Sequence, residues 1–407
     1  MEFKKSIVYF YTVQKQLQIP LNRYVYNIRC NAIDLFEKNK KQEVKNYKYD
    51  LNYTLFTSRI KRIRKLHLEY FDSFRIFLID SIYHYDSKIS IRSLSKAFYL
   101  KEYALNVDVS YEKFLSKKRA VFSQEGIFLY ITDGMFVKKP IEILYISTGT
   151  FSKMFRTINL IILGKGSCVK IIELYKNLSL GKEKFFISSE VYMNAYSYLD
   201  YCKIKDDRPT SYFLDHSCIL QEDRSECNIN SFSFCGKSII NFLSIYQLGM
   251  EIHSHINGLS ILKGHIIHNS LIEHISANGK SRDVYKGIFD KMADTTFNGK
   301  IIVLKSAKKT NAFQKSSNIL LSSEVKVNAN PQLEIFAEDV VCSHGCIVGQ
   351  LNPQEIFYLR SRGIPKADAI TKLLVAFSKD ILECLFFQRL KNLISKKINK
   401  NVIPSRN

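Results

Sequence analysis

The sequence predicts a mainly β protein in which a β-solenoid is favoured over a sandwich or a barrel. From about Gly126 onward, apolar segments of roughly four to seven residues follow one another, separated by Gly, Asn, Asp or Ser, and this spacing is typical of all three architectures. Two further observations favour the solenoid. Several segments are apolar at successive positions, as strands buried between neighbours are. The turn-like sequences GKGS, NGK and SAK also recur about every 20 residues.

Changes in this pattern predict three regions along the chain. They are an N-terminal mixed α/β region over residues 1–117, the β core over residues 118–350 and a C-terminal helical region over residues 351–407. Apolar residues at helical spacing predict one amphipathic helix near the N-terminus. The segment FRIFLIDSI, residues 74–82, predicts a strand, and SKAFYLKEYAL, residues 95–105, predicts a helix.

The C-terminal region contains clear helix start and stop signals. Asn352 and Pro353 form a good N-cap and N1 pair ahead of the helical segment QEIFYLRSR. Gly363 provides a left-handed stop before Pro365. A second helix, or a bent pair, follows over residues 366–397 and carries a wide apolar stripe at i, i+3, i+4, i+7 spacing. This stripe either packs on the protein's own core or docks a partner in a helix-in-groove manner.

Composition and charge describe a folded protein without a nucleic-acid signature. Of the 407 residues, 46% are hydrophobic and 24% are charged, far from a disordered composition. The formal net charge of +22 raises nucleic acid, an anionic membrane or an acidic partner as targets. The basic residues are spread along the chain, however, and no RNA-recognition, helix-turn-helix or zinc-finger motif accompanies them. We therefore interpret the charge as compositional bias and expect neither a nucleic-acid nor a membrane partner.

Cysteine usage and hydropathy indicate the compartment. The nine cysteines lack the repeated short spacings of a disulfide framework, which indicates a reducing environment. No run of about 18 uncharged apolar residues occurs, and the N-terminus lacks the long apolar stretch of a secretory signal. We expect a soluble protein of a bacterial-type cytoplasm, with a plastid-like compartment as the alternative.

The segment Cys342-Ser343-His344-Gly345-Cys346 is the most distinctive chemical motif of the chain. In an extended strand, alternate residues project to the same side, so Cys342, His344 and Cys346 are expected to lie together. Thiolate and imidazole are ligands suited to iron, iron-sulphur clusters or zinc. Three ligands cannot close a tetrahedral site, so a further ligand must come from elsewhere in the chain or from another subunit. The alternative is a structural role for two small buried thiols and a hydrogen-bonded histidine.

The remaining polar clusters predict structural roles. Five histidines fall close together but on both strand parities, so we interpret them as hydrogen-bonded structural residues: His253, His255, His265, His268 and His274. Four acidic residues would suit a glycosidase or lyase pair on a β-helix, although solvated faces and turn caps are the simpler roles for Asp283, Glu334, Glu338 and Asp339. P-loop, GxSxG, HExxH and CxxC motifs are missing, so we assign no catalytic residue and expect no enzyme activity.

Residues 264–364 resemble the SufB/SufD family of iron-sulphur cluster assembly proteins, and specifically its SufD branch. The segments that carry the resemblance, in matching order and spacing, are SRDVYKGIFD, FNGKIIV, SAKKTNAFQKSSNILLS, PQLEIFAEDVVCSHGCIVGQLN and EIFYLRSRGI. Weaker similarity extends back to about residue 120, and the residues before it match only loosely. The resemblance covers about a quarter of the chain closely.

The resemblance implies a right-handed parallel β-helix flanked by helical regions. It also implies partners: a SufB-like paralogue that pairs through its own β-helix, and the ABC-type ATPase SufC, which binds the C-terminal helices, here residues 363–384. Closure of two SufC copies on ATP is thought to distort the paired β-helices and to open a site for cluster formation at their interface. A homodimer of this chain in the absence of SufB stays open as an alternative.

The family pattern also implies roles for the cysteine and histidine motif. It puts His344, and less directly Cys342, at that interface as ligands of transiently bound iron or a nascent cluster, with no permanent cofactor. Cys346 stands where the family usually has a small residue without a thiol. EDVVCSHGCIVGQL lacks the acidic-flanked histidine expected of SufB, and no separate sulphur-accepting cysteine is evident. We therefore expect a non-catalytic scaffold subunit of the SUF complex; the alternatives are a SufB-like sulphur-accepting scaffold and a β-helix polysaccharide enzyme.

Overall fold

The computed structural model describes residues 74–79, 82–84, 105–108, 127–147, 154–178, 183–262 and 264–402. All of them belong to one of the two compact units into which the chain divides, the unit formed by residues 73–111 and 124–407. The helix predicted near the N-terminus lies outside the described residues, as does the helix predicted over residues 95–105 except for its last residue. The strand predicted over residues 74–82 is confirmed at Phe74–Ile79.

Strands dominate the described chain up to residue 349. In chain order they are β1 (Phe74–Ile79), β2 (Ile82–His84), β3 (Leu105–Asp108), β4 (Phe128–Ile131), β5 (Ile141–Ser147), β6 (Met154–Leu163), β7 (Cys168–Asn177), β8 (Lys184–Met193), β9 (Tyr198–Asp206) and β10 (Tyr212–Gln221). They continue with β11 (Glu226–Cys235), β12 (Ser238–Gln247), β13 (His253–Leu262), β14 (His265–His274), β15 (Lys280–Phe289), β16 (Asp294–Val303), β17 (Asn311–Leu320), β18 (Lys326–Ile335) and β19 (Val341–Gly349).

Strands β4 to β19 wind into a parallel β-helix with two sheets, and β2 and β3 add to the sheets as antiparallel strands. The first sheet has the order β19-β17-β15-β13-β11-β9-β7-β5-β1-β2, and the second has the order β18-β16-β14-β12-β10-β8-β6-β4-β3. From β4 onward, consecutive strands alternate between the sheets, and each strand pairs in parallel with the next strand but one. The predicted parallel β-helix is therefore confirmed, whereas its right hand stays a prediction.

One turn of the β-helix is longer than the sequence interval predicts. Tyr212 lies beside Ser238, 26 residues later, and Asp294 lies beside Lys326, 32 residues later. The predicted interval of about 20 residues is too short because each turn holds two strands and two corners, and corners of both kinds use Gly, Asn and Ser. A motif spacing that mixes the two kinds of corner therefore underestimates the number of residues in one turn.

One corner of the β-helix is a column of residues in the left-handed backbone conformation. They have φ angles between 54° and 68°: Gly134, Gly166, Tyr196, Arg224, Glu251, Asn278, Lys309 and Asp339. Each such residue other than glycine costs about 1–2 kcal/mol. Hydrogen bonds between successive turns offset this cost, for example from Tyr196 N to Asp223 O at 2.9 Å and from Arg224 N to Met250 O at 2.8 Å. The GKGS and NGK sequences belong to this column.

Apolar side chains from both sheets fill the inside of the β-helix. Because neighbouring strands are parallel and in register, residues of one kind stack on each other, as Ile229 and Ile256 do. Aromatic rings do the same across turns, and Phe185 and Phe213 stack with their centroids 5.1 Å apart. Each fully buried side chain of this size contributes about 1.5–3 kcal/mol. The stacked interior therefore accounts for much of the stability of the rod.

A buried ionic cluster interrupts this interior in the N-terminal half of the β-helix. The Asp215 carboxylate accepts from Lys203 Nζ at 2.8 Å and from Lys205 Nζ at 2.7 Å, and Lys203 Nζ lies 3.4 Å from Glu173 Oε2. No side chain of the four is more than 6% exposed. Three buried hydroxyls donate to Glu173: those of Tyr145, Tyr175 and Tyr201. Two carboxylates thus face two ammonium groups inside the rod.

Charge pairing outweighs burial at Asp215. Burial alone would raise the pKa of its carboxyl, but Lys203 and Lys205 lower that pKa below its usual range. At Lys203, burial is outweighed by Asp215 and Glu173, which raise the pKa of the ammonium group. Burial lowers the pKa of Lys205. The negative charge of Asp215 therefore stabilises the buried ammonium groups of both lysines.

Three C-terminal helices follow the strands within the described residues: α1 (Pro353–Ser361), α2 (Lys366–Glu383) and α3 (Gln388–Val402). The predicted start is confirmed, because Asn352 Oδ1 accepts from Gln354 N at 2.9 Å. The predicted stop is confirmed by Gly363, whose φ is +83°. None of these helices is long and apolar enough to span a membrane, a finding limited to the described residues.

The apolar stripe of α2 and α3 packs on the protein itself. Its buried members include Ala369, Leu374, Ile381, Leu382, Leu390, Ile394 and Ile398, and the buried Leu385 lies between the two helices. The two helices lie against β11 and β13 of the first sheet. Lys286 on β15 adds a polar clamp, because its Nζ donates to Phe377 O and to Asp380 Oδ1, both at 2.7 Å. Of the two interpretations of the stripe, packing on the protein's own core is therefore the one realised along its buried length.

Candidate functional site

The last turn of the β-helix, formed by β18 and β19, lies at the end of both sheets. Among the described strands, β17 pairs with one side of β19 and β16 with one side of β18, and none pairs with their outer sides. We call this pair of strands the terminal edge. Several of its apolar side chains are exposed, including Val341 at 69% and Ile347 at 55%. Unpaired backbone groups beside exposed apolar side chains form a surface suited to strand pairing with another chain.

The parallel register puts the three predicted site residues on the inner side of the terminal edge. Cys342, His344 and Cys346 lie beside three buried, inward-facing residues of β17: Ala312, Gln314 and Ser316. Partners in a parallel ladder share a face of the sheet. Cys342 is half-buried and packs against the apolar interior. His344 and Cys346 are exposed, because nothing among the described residues stacks on this turn.

The motif offers ligands but no complete site within this chain. Among the described residues, no group of three or more His, Cys, Asp or Glu side chains is arranged to hold a metal ion. Successive inward-facing residues are separated by about 7 Å along a strand, which is too far for all three to meet one ion. Burial raises the pKa of the Cys342 and Cys346 thiols, so both thiols are protonated at neutral pH. A nearby positive charge, such as a metal ion, is what would convert them to thiolates.

Below this layer lies a polar stack that sequence reasoning missed. Asp283 on β15, Gln314 on β17 and His344 on β19 follow one another in register. Asp283 Oδ2 accepts from Ser270 Oγ at 2.7 Å and from Gln314 Nε2 at 3.0 Å. Asp283 and Gln314 are both fully buried. Burial raises the pKa of the Asp283 carboxyl to about 6.

The prediction that Asp283 lies on a solvated face or caps a turn is therefore wrong. The charged residues Arg282 and Lys286 near Asp283 suggest a surface strand. Only the register with β17 reveals that Asp283 points inward. The other acidic residues agree with the simpler roles. Glu334 forms an ion pair with Lys300 at 2.6 Å, Asp339 lies in the left-handed corner, and Glu338 is exposed.

The histidine-rich segment fits the structural interpretation. His268 is buried, its Nδ1 lies 3.1 Å from Asn241 Nδ2, and its Nε2 lies 3.0 Å from Ser260 Oγ. His274 lies 2.9 Å from Ser281 Oγ and is buried as well. Burial lowers the pKa of both imidazoles to about 3, so they are neutral. The other three histidines of the segment are half-buried: His253, His255 and His265.

Comparison with known proteins identifies a family. The family described as "SUF system FeS cluster assembly, SufBD core domain" matches residues 145–377, more than half of the chain. The iron-sulfur cluster assembly protein SufD of Escherichia coli is 28% identical over 299 residues, which cover 69% of this chain and 70% of that protein. SufD of Bacillus subtilis is 25% identical over 316 residues, which cover 76% and 70%.

A plant relative extends the comparison to plastids. A chloroplastic protein of Arabidopsis thaliana is 25% identical over 269 residues, which cover 63% of this chain and 56% of that protein. The SufBD core match includes most of the β-helix, its terminal edge, α1 and most of α2. The chain therefore belongs to the SufB/SufD family, in its SufD branch, and has a role in iron-sulphur cluster assembly by the SUF system.

Proposed function

We propose that this chain is a non-catalytic scaffold subunit of the SUF complex that joins a SufB-like paralogue through its terminal edge. The observation that carries this proposal is the terminal edge itself. β18 and β19 are each the last strand of one sheet, and they carry exposed apolar residues and an incomplete set of metal ligands. A second β-helix with the same kind of edge would satisfy the backbone groups and supply the missing ligands. A second copy of this chain would pair there when the paralogue is absent.

In this proposal His344 and Cys342 bind iron or a nascent cluster as transient cargo. His344 is exposed at the edge, and an imidazole is a suitable iron ligand. The half-buried Cys342 thiol becomes a ligand once a cation lowers its pKa. Cys346 lies on the same side of the strand and adds a further thiol near the interface with the paralogue. The paralogue contributes the remaining thiolates.

The C-terminal helices are the proposed docking site of a SufC-like ATPase, in and around residues 363–384. The buried stripe of α2 holds this region on the β-helix, so its outer surface remains available. The short helix α1 precedes it and exposes two aromatic side chains, Phe357 at 71% and Tyr358 at 57%. Exposed aromatic residues are typical anchors of protein interfaces. Docking there would couple ATP-driven motion of the ATPase to the β-helix through the hydrogen bonds that Lys286 makes to α2.

The His344→Ala variant tests the cargo site. We expect the complex of this chain with SufB-like and SufC-like proteins to lose at least about tenfold in iron affinity, because losing a direct ligand costs no less than losing an outer-shell partner. The measurement is iron per complex after co-expression and anaerobic purification, with size-exclusion chromatography to verify that the complex is intact.

Ser343→Ala is the matched control, because Ser343 is the next residue on the same strand and lies on its outward-facing side. The complex with Ser343→Ala should keep its iron. An intact His344→Ala complex with unchanged iron content would remove His344 from the site. A chain that fails to co-purify with either partner would contradict the scaffold proposal as a whole.

A further inference from the structure

We infer that Asp283 and Gln314 are positioning residues that fix the orientation and the tautomer of the His344 imidazole from inside the β-helix. The inference rests on the proposed function of His344 as a ligand of iron or a nascent cluster. It assigns a role to two fully buried polar residues that a purely apolar interior would not need.

The three residues stack in order in the first sheet. Asp283 pairs with Gln314, and Gln314 pairs with His344, in adjacent parallel strands and without a shift of register. Partner residues in such ladders lie about 4.8 Å apart and project in the same direction. Gln314 is therefore the layer directly between the buried carboxylate and the exposed imidazole. Below Asp283 the same ladder continues with two apolar residues, Ile256 and Ile229.

The Gln314 amide has a defined direction. Its Nε2 donates to Asp283 Oδ2 at 3.0 Å, which turns the NH2 group toward the carboxylate. The same carboxylate oxygen accepts from Ser270 Oγ at 2.7 Å, so the acceptor is itself held in place. The remaining end of the amide is Oε1, an acceptor that is buried and has no hydrogen-bond partner among the described residues. An unpaired buried acceptor is unfavourable, so a donor at this position would stabilise the protein.

The opposite sheet holds the Gln314 side chain in place. The Gln314 amide lies against Gly299 on the opposite sheet, and a Cβ atom placed on Gly299 would be 2.3 Å from Nε2 and 2.7 Å from Oε1. The side chain thus spans the interior and touches the backbone of the other sheet. Glycine at residue 299 provides the space that the amide occupies.

His344 is the natural hydrogen-bond partner of Gln314 Oε1. A ring N–H of His344 is the donor nearest in the stacking order, and a bond from it to Gln314 Oε1 would leave the other ring nitrogen with its lone pair free to bind a metal ion. Metal-binding histidines are commonly oriented by an acceptor on their second nitrogen. Asp283 acts one layer deeper, because it sets the direction of the amide.

The test is the tautomer of His344 in the full-length chain without metal. Histidine-specific ¹⁵N labelling gives the two ring-nitrogen shifts of each histidine, and His344→Ala identifies the signals of His344. We expect one dominant tautomer in the unmodified chain. In Gln314→Met, which keeps the shape but removes the acceptor, the ratio of tautomers should fall by about two- to tenfold, the range of a single hydrogen bond.

Gln247→Met is the matched control. Gln247 is also a buried glutamine, and it donates to Ser254 Oγ at 2.7 Å and to Lys280 O at 3.0 Å, several turns away from His344. This variant should lose stability in the same way but leave the His344 signals unchanged. An unchanged tautomer ratio in Gln314→Met, or an equal change in Gln247→Met, would overturn the inference.

If Gln314→Met does not fold, Gly299→Ala reaches the same site from the opposite sheet, because its methyl group displaces the far end of the Gln314 side chain. The tautomer ratio should again fall, and an unchanged ratio would again overturn the inference. The measurement needs neither iron nor partners. Its failure would leave the iron-binding proposal intact, whereas unchanged iron in His344→Ala would end that proposal whatever the tautomer.

Discussion

The Asp215→Asn variant is expected to lower the free energy of unfolding by about 3–5 kcal/mol, because it leaves two ammonium groups inside the rod without their shared carboxylate. Lys205 loses the carboxylate at 2.7 Å, and Lys203 keeps the Glu173 carboxylate at 3.4 Å and the Ser217 hydroxyl at 2.6 Å. The change is nearly isosteric, so little of the loss comes from packing. Guanidinium unfolding of the full-length chain, followed by far-UV circular dichroism, measures it.

The part of this loss that comes from the ionisation of Asp215 itself should not depend on pH across the neutral range. The folded-state pKa of Asp215 is lowered, so the stability that its charge contributes is fully present above the usual pKa of an aspartate, about 4. That contribution is lost only as the pH falls through the lowered folded-state pKa. The stability difference between the original chain and Asp215→Asn should therefore narrow on the acid side only in strong acid.

Glu334→Gln is the control for the Asp215 prediction. It breaks an ion pair with Lys300 in which the side chains are 36% and 44% exposed, and pairs of this kind contribute at most about 1 kcal/mol. An Asp215→Asn variant that is no less stable than Glu334→Gln would mean that the buried cluster does not hold the rod together.

The double variant Val341→Lys and Ile347→Lys is expected to weaken binding to the proposed partner, a SufB-like paralogue, by at least about 100-fold, or ~3 kcal/mol. Both side chains are exposed on the terminal edge, at 69% and 55%, so the chain itself should fold as before. In the complex the two ammonium groups would be desolvated, and lysines on edge strands oppose pairing with another strand. Biolayer interferometry with the immobilised paralogue measures the dissociation constant.

Met250→Lys is the control for the edge prediction. Met250 is an apolar residue that is 49% exposed at the corner between β12 and β13, three turns away from the terminal edge. It should bind the paralogue as the original chain does. Equal affinity for the double variant would show that the partner binds elsewhere.

The sequence predicted the elements and the chemical motif better than it predicted the interior. Asn352, Gly363 and the strand segments carry local signals, namely a cap, a left-handed stop and short apolar runs, and these signals survive in the folded protein. The alternation of Cys342 and His344 on one side of a strand is likewise a local property. Local sequence signals were therefore enough to predict these features.

The inward-facing charged residues could be predicted only from the register between strands, and no local sequence pattern contains that register. Asp283, Lys203 and Asp215 occur in segments where polar and apolar residues mix, as they do on a half-exposed strand. Their burial follows from which residue lies beside them one turn away, and that distance varies between 26 and 32 residues. The same variation hid the stack of Asp283, Gln314 and His344.

Hydrogen–deuterium exchange at the terminal edge tests the central claim most directly. Backbone amides in β18 and β19 are compared between the chain alone and its purified complex with the SufB-like paralogue. If the paralogue completes this edge, exchange in both strands slows by at least about tenfold on complex formation, while the corner around Met250 is unchanged. A stable complex in which the amides of both strands exchange as fast as in the free chain would contradict the account.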